Sequence, residues 1–124
     1  MIDVCGFWIC LPHTAAYAAR EEKLMITKVT QDNFVEEVLK SDKTVLIDFW
    51  AAWCTPCRML SPAVDEVAEE RKDIKVCKVN IDEEGELAIR YGVMSIPTLI
   101  VFKDGEITNK SIGLISKDEI LALL

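Results

Sequence analysis

The stretch Thr44-Val45-Leu46-Ile47-Asp48-Phe49-Trp50-Ala51-Ala52-Trp53-Cys54-Thr55-Pro56-Cys57 decides how this chain folds. Thr44–Ala51 is a continuous apolar run broken only by Asp48. Such runs form central strands covered on both faces. From about Cys54 to Arg71 the pattern changes: Leu60, Val64, Val67 and Ala68 recur at helical spacing. Pro62 sits well inside that segment and predicts a kink, because it removes a backbone donor. A buried strand therefore runs directly into a long helix, with two cysteines at the junction.

Short elements alternate on either side of this unit. Upstream, Met25–Val29 reads as a strand, and Thr30 can cap a helix carrying Phe34, Val35, Val38 and Leu39 on one face. Downstream, Ile74–Ile81 reads as a strand and Glu86–Tyr91 as a short helix, closed by Gly92 in a left-handed cap. Thr98–Phe102 and Glu106–Ile112 form strands around Lys103-Asp104-Gly105, and Asp-Gly is a strong hairpin signal. Ser116-x-x-Glu119 is a capping box opening a final helix through Leu124. The order β-α-β-α-β-α-β-β-α predicts an α/β protein whose first strands are parallel, joined by right-handed crossovers. The closing hairpin is antiparallel, so the sheet is mixed, with helices on both faces.

The 124 residues fit one domain. Apolar residues at 51% and charged residues at 28% describe a globular chain, not a disordered one. The net charge of −7 leaves no general footprint for nucleic acid and no electrostatic attraction to an anionic membrane. The apolar run Val4–Leu11 is far short of the ~20 residues that span a bilayer. It could pass as the core of a signal peptide with Ala16-Tyr17-Ala18 as a cleavage site, but Met1-Ile2-Asp3 is acidic where a signal is basic. Residues 1–24 lack a sustained period and are read as an N-terminal extension to a domain at 25–124. Met25 could itself be an initiator, which would make the extension an artefact.

Five cysteines, an odd number, fit a secreted disulfide framework poorly. One close pair in an otherwise cysteine-poor domain points to redox or metal chemistry in a reducing compartment. His13 is the only histidine, which removes His-rich zinc sites, Cys–His pairs and Ser–His–Asp triads. The glycines never form G-x-G, and neither Gly-Lys-Ser nor Gly-Lys-Thr occurs, so phosphate-cradling loops are unsupported. A structural zinc needs four ligands, whereas Cys5 and Cys10 have the wrong spacing and Cys77 stands alone. Redox chemistry is therefore the favoured reading of Trp53-Cys54-Thr55-Pro56-Cys57. Cys54 lies at the helix start, where free N–H groups and the positive end of the dipole favour thiolate. Cys57 lies one turn inside, shielded and less acidic. That asymmetry makes Cys54 the nucleophile and Cys57 the resolving thiol. Pro56 fits the first helical turn, where its missing donor costs nothing.

Asp48 is a carboxylate in a buried strand, six residues before Cys54. Burial should raise its pKa, and it could accept the proton that Cys57 must lose, through a water if needed. Lys78 on the next strand is the candidate for an ion pair that would temper the shift. Ile96-Pro97 on its own reads as a loop boundary before a strand. Cys77 reads as a small buried hydrophobe, and Trp50 as core. Trp53, beside the cysteines, is expected to be partly exposed. Glu69-Glu70 and Asp82-Glu83-Glu84 read as solvated faces.

From Met25 to Leu124 the chain resembles a thioredoxin. The resemblance rests on Ile47-Asp48-Phe49-Trp50-Ala51 running into the Cys54–Cys57 pair, on Pro62, and on Lys78-Val79-Asn80-Ile81-Asp82. Tyr91-Gly92 leading to Ile96-Pro97-Thr98, then Lys103-Asp104-Gly105 and Gly113, complete it. It implies a thioredoxin fold with five-stranded sheet order 1-3-2-4-5 and a cis peptide before Pro97, packed against the cysteine pair. It also implies a substrate groove around Trp53, Thr55 and Pro56, continued by Ile81, Ser95 and Ile96 and closed by Pro97, Gly113 and Leu114. Protein disulfides are the implied substrates, and a thioredoxin reductase, an NADPH-dependent flavoprotein, the implied electron donor. The chain shows no NADPH or flavin site, so no cofactor or metal is expected, and a cytoplasmic monomer that reduces protein disulfides is the reading. An oxidase or isomerase of the same fold and a non-catalytic binding subunit are the alternatives. Thr55 departs from the glycine usual in the family, and reduction potential is the property it bears on.

Overall fold

A computed structural model describes residues 26–124. Met25 and the extension, with Cys5, Cys10 and His13, lie outside the described residues. The strands are β1 (Ile26–Lys28), β2 (Thr44–Trp50), β3 (Ile74–Asn80), β4 (Thr98–Lys103) and β5 (Glu106–Ile112). The α-helices are α1 (Thr55–Glu70), α2 (Gly85–Arg90) and α3 (Lys117–Leu123). The five strands form one sheet in the order β1-β3-β2-β4-β5. β1 and β2 pair with β3 in parallel; β2–β4 and β4–β5 are antiparallel. The mixed thioredoxin-type sheet expected from the sequence is the one observed.

Alternation along β2 splits the core in two. Val45, Ile47 and Phe49 face a cluster with Phe34, Val38, Leu87 and Phe102. Leu46 faces the other side, where Leu60, Val64 and Val67 of α1 pack with Ile120 of α3. Asp48 and Lys78 have the parity of Leu46 and Val76, so both belong to the α1 side. The parallel register Leu46↔Val76 and Asp48↔Lys78 puts them on adjacent strands.

Turn chemistry follows the sequence closely. Asp104 and Gly105 both have positive φ, 53° and 80°, as a tight two-residue hairpin with strands of right-handed twist demands. The Ser116–Glu119 capping box is present in both directions. Pro62 lies inside α1, which continues past it to Glu70.

One element differs. Between β1 and β2 the chain forms a five-residue π-helical turn, Val35–Leu39, and Thr30 does not cap it. Instead the Thr30 N–H donates to Asn33 Oδ1 at 2.7 Å, and the Lys40 N–H reaches back to the Val35 carbonyl at 2.9 Å. Only Phe34 and Val38 are fully buried; Val35 is exposed. Phe34 is held by Tyr91 and Phe102, with ring centroids 5.2 and 6.0 Å away, and that anchoring outweighs the regular helical stripe.

Candidate active site

β2 delivers the chain from the sheet to the α1 N-terminus, where Cys54 is the N-cap residue in an extended conformation. Its Sγ accepts the Cys57 N–H at 3.3 Å, satisfying one of the free donors of the first turn. Cys54 and Cys57 are disulfide-bonded, with Cα atoms 5.3 Å apart. Thr55 and Pro56 occupy the exposed first turn, which contains no acidic residue to oppose a thiolate. Cys54 Sγ lies 3.8 Å from the Ile96 carbonyl oxygen, and the Ile96–Pro97 peptide is cis. Ile96 and Ile81 pack on the small cluster formed by Ala51 and the two cysteines.

Trp53 is 65% exposed, and Leu114 and Met94 are also exposed. The Gly113 N–H donates to the Pro97 carbonyl at 2.8 Å, which fixes the Gly113–Leu114 turn beside the proline. Ser95 is exposed at the same edge and its carbonyl accepts the hydroxyl of buried Thr98. The structure thus brings the residues expected in the groove to one end of the sheet.

Beneath the disulfide, Asp48, Trp50, Cys57, Arg58, Ser61 and Lys78 line a cavity of about 160 Å³. Asp48 is 1% exposed, and its Oδ1 has no hydrogen-bond partner among the described residues. Burial pushes this carboxyl up to about 7; Lys78 pulls it down, and Asp65 pushes it further up. Lys78 makes no ion pair with Asp48. Its Nζ donates to Ser61 Oγ at 2.8 Å and lies 3.5 Å from Asp65 Oδ1.

Two features escaped the sequence reading. Asp82 is not merely a solvated acid: the Trp53 indole N–H reaches its Oδ2 at 3.0 Å and fixes the ring. The signal was topological, since the register Trp50↔Asn80 brings the chain after β2 beside the chain after β3. Ser61 and Asp65, the partners of Lys78, carried no signal beyond their four-residue spacing on a helix.

The thioredoxin family model matches residues 25–124. The chain belongs to the thioredoxin family. It is 48% identical over 98 residues to a thioredoxin of Rickettsia bellii, covering 78% of this chain and 93% of that protein. A thioredoxin of Pseudomonas aeruginosa is 47% identical over 100 residues, with coverage of 80% and 93%. Thioredoxin 1 of Synechococcus elongatus is 51% identical over 90 residues, with coverage of 72% and 84%. As a thioredoxin-family protein the chain is a thiol–disulfide oxidoreductase that reduces protein disulfides, and Cys54–Cys57 is its redox-active pair. Among the described residues, no helix is long and apolar enough to cross a membrane, and no cluster of three His, Cys, Asp or Glu side chains could hold a metal.

Proposed function

We propose that Cys54 is the attacking thiolate, Cys57 the resolving thiol and Asp48 the acceptor of the Cys57 proton. The Cys54 thiolate attacks one sulfur of a protein disulfide; that S–S bond breaks and the other substrate sulfur leaves as thiolate. Asp48 takes the Cys57 proton, directly or through a water in the cavity. The Cys57 thiolate then attacks Cys54 Sγ, the mixed disulfide breaks, and the substrate departs reduced by two electrons. The Cys54–Cys57 disulfide seen here is the product of that step. The observation that carries this reading is the shared cavity: Asp48 and Cys57 line one space beneath the helix start, while Cys54, the N-cap residue, does not line it and lies against the Ile96 carbonyl. Lys78 tunes Asp48 through its charge.

The groove of Trp53, Thr55, Pro56 and Ile81 on one side, and Ser95, Ile96, Pro97, Gly113 and Leu114 on the other, receives the substrate backbone. The Ile96 carbonyl, so close to Cys54 Sγ, supports this placement. A thioredoxin reductase returns the two electrons, and the protein works as a monomer in the cytoplasm; the reducing-compartment cysteine usage supports that location.

The test is the decay of a preformed Cys54 mixed disulfide in single turnover. It should slow as pH falls below about 7, where Asp48 becomes protonated, and Asp48→Ala should decay slowly with that acid limb gone. An acid limb retained in Asp48→Ala would remove Asp48 from the reaction.

Residues 1–24 are proposed to be dispensable, because Cys54, Cys57, Asp48 and Lys78, and every strand and helix among the described residues, follow Met25. A protein starting at Met25 should keep its reduction rate within about twofold and its melting temperature within a few degrees, a surface-scale effect. Loss of folding would move the domain boundary upstream.

A further inference from the structure

We propose that Ser61 and Asp65 are positioning residues that hold the Lys78 ammonium on the helix side of the cavity, so that Asp48 keeps no counter-ion at contact distance. The proposal rests on the reading of Asp48 as proton acceptor and extends it to the groups that set its acidity.

The register Asp48↔Lys78 places a flexible cation directly beside a buried carboxyl, on the same face of the sheet. Left to itself, the ammonium would turn to that carboxylate, because an opposite charge in a poorly solvated site is strongly favourable. The structure shows the other choice. Nζ donates to Ser61 Oγ at 2.8 Å and lies 3.5 Å from Asp65 Oδ1, while Asp48 Oδ1 has no hydrogen-bond partner among the described residues. Ser61 and Asp65 are four residues apart on α1 and therefore share the helix face above the cavity. The Asp65 side chain is 40% exposed and that of Lys78 22%, so the pair sits on the solvent side of Asp48.

The other neighbours cannot replace this clamp. From α1, Cys57 and Arg58 also line the cavity, and Arg58 is largely exposed. On β4, the residue opposite Asp48 is Leu99, and α3 contributes the buried Ile120. Lys78 and Asp65 are the charges that act on Asp48, with opposite signs. A serine hydroxyl and a second carboxylate thus share the cation and keep Asp48 able to take up a proton near neutral pH.

The experiment follows the Asp48 carboxyl carbon by NMR titration of the oxidised full chain, assigned by its loss in Asp48→Ala. Asp65→Asn removes a negative charge and frees Lys78, and both changes lower the Asp48 midpoint, by about one pH unit. Ser61→Ala should move it the same way by less, and Ser61→Thr, which keeps the hydroxyl, should restore it. A residue with only a structural role would lower the melting temperature and leave the titration in place. Midpoints unmoved in both Asp65→Asn and Ser61→Ala overturn the clamp. The acid limb of mixed-disulfide decay is measured in parallel. A carboxyl midpoint that moves while the limb stays supports the clamp and counts only against Asp48 as the proton acceptor.

Discussion

Cys57→Ser should accumulate covalent complexes with protein disulfide substrates, while Cys54→Ser should accumulate none and lose disulfide reduction by at least ~10^4-fold, the scale of removing a catalytic nucleophile. Cys54 caps α1, and its sulfur already accepts a backbone N–H that a thiolate would hold more strongly. It also lies beside the Ile96 carbonyl. Both sulfurs are nearly buried, Cys54 at 5% and Cys57 at 3%, so position decides: Cys57 faces the cavity of Asp48, Cys54 does not, and an incoming disulfide is expected to meet Cys54 first. With serine at 57 the first exchange proceeds and the second cannot, because a hydroxyl is a poor nucleophile at neutral pH. Non-reducing electrophoresis after incubation with a disulfide-containing protein reads the outcome. Trapping by Cys54→Ser in place of Cys57→Ser would reverse the two roles.

Asp48→Ala should melt higher than the wild-type protein at neutral pH. The carboxyl ionises near 3.8 in an unfolded chain and at about 7 when folded. The native state therefore holds its proton more tightly than the unfolded state between those values. Stability falls as pH rises from about 3.8 through about 7, and the loss is complete above that. The span corresponds to about 4 kcal/mol. Truncation to alanine costs part of this in lost packing, on the order of 2 kcal/mol. A net gain of about 2 kcal/mol remains, worth roughly 10 °C in a domain of this size. The advantage should shrink as pH falls and vanish or reverse near pH 4, where the folded carboxyl is protonated and most of the linkage penalty is gone. Melting curves across that range check it; a variant that melts lower at pH 7 and shows no such trend contradicts the buried-acid account.

Much of this architecture was legible because it is local. Asp104-Gly105, the Ser116–Glu119 box and the strand-to-helix junction at Cys54 are short patterns whose backbone demands are met by few residue types. Asp48 was legible for the opposite reason, as a residue its surroundings do not suit. What escaped depended on choices between distant partners. Lys78 had Asp48 beside it on the neighbouring strand, and it turns instead to Ser61 and Asp65 across the helix. Asp82 is one acid in a run of three, and only the three-dimensional approach of Trp53 singles it out. The π-helical turn follows from Phe34 docking against Tyr91 and Phe102, contacts that span more than fifty residues of sequence.

The free thiol of Cys77 lies on β3, between β1 and β2, fully buried, with burial pushing it up to about 12. At pH 7 only about one such group in 100,000 is ionised, and none is within reach of an electrophile in solution. The same sulfur becomes an ordinary reactive cysteine once β3 leaves the sheet. Its alkylation is therefore a clock for opening of the whole domain. In the disulfide-closed protein, the rate at which a small iodoacetamide labels residue 77 reports how often the molecule unfolds, without disturbing the Cys54–Cys57 pair that does the chemistry.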